Sequence, residues 1–178
     1  MKVLHLAAGN RWTGAAAPAF AEVEALREQG VDAHYAYVGG YKLEAKLAHY
    51  GFAHPMIAKA QNPISFLRTI KTLDRLVFEH HFDIVHSHLT YDHVLARFLG
   101  HAGVRVPIAR TFHSRRTLRN EPFTRSMLRR TELIFVTNDE LANAPLLQNR
   151  EVTFTPPPLD TDQFTPDGPN VRSRYAID

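Results

Sequence analysis

Short apolar, β-branched runs alternate along the chain with stretches whose apolar residues recur at helical spacing. This is the pattern of strand-helix-strand units around a parallel sheet buried on both faces. Val3 to Ala8 is a continuous buried-strand run and Gly9 to Gly14 a loop; Phe20, Val23 and Leu26 then mark a helix that Gly30 stops. Val31 to Val38 predicts a second strand, and Gly51 to Ile57 a weaker third. Asn62 and Pro63 supply a cap and a first-turn proline for a long helix, whose apolar stripe is Ile64, Leu67, Ile70, Leu73 and Leu76. Further strands are expected at Asp83 to Ser87, Pro107 to Phe112, Leu133 to Thr137 and Val152 to Thr155. Between them lie helices from Asp92 to Leu99, from Pro122 to Arg130, and briefly after Asn138. Pro156, Pro157 and Pro158 cannot continue a sheet interior or a helix, so the chain leaves the domain there. The expected organisation is an α/β domain over residues 1–158, followed by a linker over 159–178 that is poor in apolar side chains.

Composition narrows the chemistry. At 178 residues and 44% hydrophobic, the chain is long enough to bury a core without staples. It has no cysteine, which excludes disulfides, thiolate-held metals and cysteine nucleophiles and suits a cytosolic protein. No run approaches the roughly 20 apolar residues of a membrane span. The net charge of +3 is local: Arg110 to Arg130 holds seven arginines against the single acid Glu121, leaving 14 basic and 17 acidic residues elsewhere (21 − 7 and 18 − 1). Nucleic acid is an unattractive partner for that segment, because aromatic stacking platforms are not interleaved with it. An anionic membrane surface or a phosphorylated glycolipid fits better, and a merely solvated helix face is the bland alternative.

Candidate functional residues sit after predicted strands, at the carboxyl edge of the sheet where open α/β folds bind ligands. The first loop, with Trp12, Thr13, Gly14 and Ala15, leads into a helix whose unpaired N–H groups and dipole favour anions. An ordinary tight turn is the alternative there. Trp12 stacks on a sugar ring or packs over the sheet edge. His86 and His88, two apart on one strand, share a face, but spacing indicates no third metal ligand, so the expectation is that no metal binds. His113 follows the strand ending at Phe112, with Arg115 and Arg116 directly behind it. Asn138 caps the next helix or joins the site.

Four stretches, MKVLHLAAGNRWTGAAAPAF, FDIVHSH, VPIARTFHS and ELIFVTNDELA running on to PPPLDTDQF, resemble the N-terminal domain of family 4 retaining glycosyltransferases. The resemblance covers nearly the whole chain. Pro157 to Asp160 stand where the family carries an Asn-Gly-Val-Asp turn, and Ala15 stands where it commonly has a second glycine. The resemblance implies a Rossmann-like three-layer sandwich with a mainly parallel sheet, one half of a GT-B fold. It implies sugar transfer from a nucleotide-diphosphate donor to a saccharide or glycolipid acceptor, without a cofactor or catalytic metal. It further implies His113 at the active site, His86 under a helix, His88 at the cleft edge and Gly14 near the donor diphosphate. Most donor contacts would belong to an absent C-terminal domain, the chain's chief expected partner, so the chain alone is expected to be inactive. A cytoplasmic enzyme at the inner face of the membrane, making lipopolysaccharide or other envelope glycans, is the setting expected. A sugar-nucleotide epimerase of the same fold and a non-enzymatic anionic-lipid module are the alternatives.

Overall fold

The computed structural model describes residues 1–58, 62–100 and 105–158; the expected linker over 159–178 lies outside them. Seven strands form one sheet: β1 Lys2–Ala7, β2 Asp32–Val38, β3 Ala53–Ile57, β4 Ile84–Ser87, β5 Ile108–Phe112, β6 Leu133–Val136 and β7 Thr153–Phe154. Every pairing is parallel, and the spatial order is β3-β2-β1-β4-β5-β6-β7. The helices between them are α1 Ala16–Glu28, α2 Lys42–Leu47, α3 Pro63–His80, α4 Thr90–Phe98, α5 Pro122–Leu128 and α6 Asp139–Ala142. The sheet therefore grows outward from β1 to β3, returns through α3, and grows the other way from β4. Strand order reverses between β1 and β4, which makes the carboxyl ends of these two strands the topological switch point.

Alternation along the strands divides the interior. Leu4 and Leu6 of β1 join Ile70, Leu73, Leu95 and Val85 in a core on the α3 and α4 side. Ala7 joins Phe20, Val23, Tyr35 and Leu43 in a second core under α1 and α2. A third cluster, including Phe112, Leu128, Ile134 and Leu141, packs around β5, β6 and α6. The Tyr35 hydroxyl donates to the Ala16 carbonyl at 3.1 Å, tying the first turn of α1 to the sheet.

Helix α3 begins as its sequence dictates. Asn62 Oδ1 accepts from the Ser65 N–H at 2.8 Å, and Ser65 Oγ accepts from the Asn62 N–H at 3.3 Å. It ends at His81, whose φ of 53° is left-handed, while the Phe82 N–H returns to the Val77 carbonyl. The expected stripe is corrected here. Ile64 and Leu67 are 70% and 64% exposed, and the buried set is Thr69, Ile70, Leu73, Leu76 and Val77. A strict three-residue step advances only 300° per interval and drifts around the helix, whereas alternating three- and four-residue steps stay on one face. Helix α2 was not expected from the sequence; six residues beginning after a Gly-Gly-Tyr turn carry too little periodicity to register.

Leu73→Ala is expected to cost about 2–5 kcal/mol, and Leu67→Ala no more than about 0.5 kcal/mol. Urea unfolding of the two variants checks the reassigned helix face, and equal losses would contradict it.

Candidate functional site

Because β1, β4 and β5 run parallel as neighbours, the segments following all three emerge at one edge. Gly14 lies after β1, His88 directly after β4 and His113 directly after β5. The register pairs His5 with His86. Three imidazoles, His5, His86 and His88, thereby share the α1 side of the sheet, with ring centroids 4.3–5.3 Å apart.

These three rings are almost wholly shielded from water, and all their nitrogens but His5 Nε2 find protein partners. His5 Nδ1 is 3.0 Å from His88 Nε2, and His88 Nδ1 is 3.3 Å from His113 Nε2. His86 Nε2 is 2.7 Å from Thr111 Oγ1, and its Nδ1 is 3.5 Å from a carboxylate oxygen of Glu22 on α1. Burial holds all four imidazoles neutral: His5 is pushed down to about 3 and His113 to about 4, the latter helped by the Arg110 charge. His86 and His88 lie well below the ordinary range, through burial first and then a neighbouring imidazole, His5 for His86 and His86 for His88. The same desolvation pushes Glu22 up to about 7.

Two buried residues support the cluster from behind. Asp92, at the start of α4, accepts from the N–H groups of His88 at 3.0 Å and Leu89 at 2.6 Å, and so shapes the turn that aims His88. Arg110 of β5 donates to the Leu89 carbonyl and lies 3.7 Å from Asp92. Burial pushes the Asp92 carboxyl up to about 7 against the pull of Arg110 and those N–H groups.

The expected site residues fall into two groups. His113, half-buried, lines a groove of about 300 Å³ together with Glu22, Thr111, Thr137 and Pro156. His88 does not reach the cleft edge: it is 2% exposed and stands behind His113. The structure also supplies what spacing did not, since His5 and Glu22 join His86 and His88 with ligand-type atoms within 4.8 Å. Zinc–nitrogen bonds of about 2.0–2.1 Å require atoms roughly 3.4 Å apart in a tetrahedral shell. The 4.8 Å spread is wider than that, and every ring nitrogen of the three histidines except His5 Nε2 has a protein partner. Gly14 is exposed, with open space where a side chain would stand. Thr13 Oγ1 accepts from the N–H of Ala16, the first residue of α1, at 3.3 Å. Ala15 is the residue before the helix. Trp12 meets Phe20 edge-on at 5.8 Å and carries the Lys46 ammonium 4.9 Å above its ring.

The arginine segment is not one surface. Arg110 is buried, whereas Arg115 and Arg116 lie exposed on a 3-10 turn after His113, Arg115 paired with Glu140 at 3.0 Å. Asn138 is exposed and accepts from the Leu141 N–H at 3.0 Å, a capping role. His5, Glu22, Asp92, Arg110 and Thr111 were missed by sequence reasoning. The one signal available was a histidine inside the apolar run of β1.

The profile of Glycosyltransferase Family 4 matches residues 12–163. The chain belongs to this family. No curated protein matches it in sequence. Among solved structures it resembles a glycosyltransferase from Rickettsia africae, with TM-score 0.69 at 14% identity, covering 99% of this chain and 50% of that one. It also resembles UDP-N-acetylglucosamine 2-epimerase from Rickettsia bellii, with TM-score 0.66 at 11% identity, covering 100% and 52%. Anabaena HepE, solved with UDP and glucose, gives 0.65 at 14% identity, covering 99% and 50%. The family 4 domain thus has the fold of one half of a GT-B protein, and spans about half the length of these structures.

Asp92→Leu strands the Arg110 guanidinium and is expected to cost about 3–5 kcal/mol, much of it recovered when Arg110→Leu is added. Denaturant unfolding of the single and double variants measures this, and additive losses would refute the coupling.

The pH dependence follows from the buried imidazoles. His5, His34, His54, His86, His88, His93 and His113 all have lowered values in the folded chain. Below about pH 6.5 the unfolded chain takes up protons there that the folded chain refuses, so stability falls as pH falls. Glu22 and Asp92, raised on folding, act oppositely, losing stability as pH rises from about 4 toward 7, but they are outnumbered. Unfolding free energy should therefore drop by more than about 1.4 kcal/mol per unit between pH 6 and 5. Chemical denaturation across that range checks it; a flat profile would contradict it.

Proposed function

We propose that this domain is the acceptor-side half of an enzyme that moves a sugar from a nucleotide-diphosphate donor to a hydroxyl of a saccharide or glycolipid, with retention of configuration. The observation that carries the reading is His113 at the end of β5, beside the switch point, in a chain of Glycosyltransferase Family 4. A second, C-terminal domain would complete the donor site. HepE, of the same fold, was solved with UDP and glucose, which fits a nucleotide-sugar donor. No cofactor or metal enters the reading.

The chemistry asked of this half is positioning and electrostatics. His113, neutral, contributes a hydrogen bond to the transferred sugar or its phosphate rather than a nucleophile or a charge. The open loop at Gly14 leaves backbone within reach of phosphate oxygens, and Trp12 offers an apolar face at the same edge. Arg116, Arg119, Arg129 and Arg130, all exposed, would meet a phosphorylated acceptor or anionic head groups at a membrane's inner face during envelope-glycan synthesis. The likeness to an epimerase, at 11% identity, concerns the fold; product analysis separates isomerised donor from sugar transferred to an acceptor.

In the two-domain enzyme, His113→Ala is expected to lower turnover of nucleotide sugar by about 10²-fold or more, with little change in melting temperature. Wild-type turnover in that variant would remove His113 from the site, and sugar transfer by the 178-residue chain alone would overturn the half-enzyme reading.

A further inference from the structure

A neutral imidazole carries one N–H and one lone pair, so hydrogen-bonded imidazoles in a row share one direction of donation. His5, His88 and His113 form such a row, with contacts of 3.0 and 3.3 Å. Burial keeps each neutral at pH 7, which makes the tautomer rather than the charge the variable. Two directions exist. Donation running toward His5 puts a hydrogen on His5 Nε2; donation running toward His113 leaves that nitrogen a lone pair.

The far end of the row decides between them. His5 Nε2 is buried and has no hydrogen-bond partner. An orphaned buried N–H is among the rarest features of folded proteins, whereas an under-used acceptor is better tolerated. Donation therefore runs from His5 Nδ1–H to His88 Nε2, and from His88 Nδ1–H to His113 Nε2. His113 Nε2 is then an acceptor, and its proton sits on Nδ1.

We propose that His5 and His88 are positioning residues that fix His113 in its Nδ1–H tautomer, presenting a neutral donor to an oxygen of the ligand. His86, on the same face, takes no part in the row, since its ring nitrogens face Thr111 and Glu22. The use of this donor in sugar transfer rests on the function proposed above; the tautomer itself does not. The ligand chemistry it selects is an oxygen lone pair, of a sugar hydroxyl or a phosphate, and the device works without protonating His113.

The test is to label histidine with ¹⁵N and read long-range proton–nitrogen couplings in the folded chain at pH 7, identifying His113 by the signals lost in His113→Gln. The expected result is the Nδ1–H tautomer at His113. Finding the Nε2–H form in the wild-type chain would overturn the proposal, whether or not any variant folds. His5→Phe keeps a ring but removes the donor, and should move His113 toward the Nε2–H form that free imidazole favours. His5→Asn places an amide N–H near the former Nδ1 and should restore Nδ1–H. An unchanged His113 tautomer in folded His5→Phe would refute the role of His5. In the two-domain enzyme, His5→Phe should lower kcat more than it raises KM, with recovery in His5→Asn. A wild-type enzyme that transfers no sugar would sink the functional reading while leaving the tautomer result standing.

Discussion

A parallel sheet covered by helices on both faces offers no water to a polar side chain inside it, so every such group must be answered by another. In this chain that constraint acts hardest beside the switch point, where β1, β4 and β5 place histidines on one face. The row His5–His88–His113 meets most of that demand, Thr111 and Glu22 answer His86, and His5 Nε2 is left without a partner. A surface histidine would sample orientations and titrate near neutrality; His113, held by His88, does neither.

Support for that row extends through the backbone. Asp92 gathers the N–H groups at the turn after β4, and Arg110 from the neighbouring strand holds the carbonyl of the same turn. A buried ion pair of this kind contributes modestly to net stability, because desolvation offsets the attraction. Its effect is geometric: the turn carrying His88 is held from both sides, and the distance to His113 follows. Arg110 also adds positive charge that keeps the nearby imidazoles neutral.

The edge of the sheet divides its labour accordingly. Its interior side holds the rigid polar cluster, while the first loop stays exposed, with Trp12 and Gly14 on its surface. Thr13 Oγ1 accepts from the first N–H of α1, so the loop is anchored at its helical end and open at its tip. The arginines follow the same division, one buried as a structural cation and others solvated beyond His113.

The alternation of apolar runs and helical periods by itself determined the α/β class, the strands and most helices, since these follow from local periodicity. It also placed His113 after a strand, and hence at the carboxyl edge. A strict three-residue step misassigns the face of α3, because it slips about 60° at each interval, whereas the alternating three- and four-residue spacing of Ile70, Leu73 and Val77 marks the buried one. Local periodicity could not foresee the polar cluster. His5 and His88 are 83 positions apart, and His5 meets His86 only through the pairing of β1 with β4, a choice made by long-range packing. The sequence puts Arg110 both in a strand and in the arginine-rich segment; its full burial was decided by the neighbouring strands of the assembled sheet.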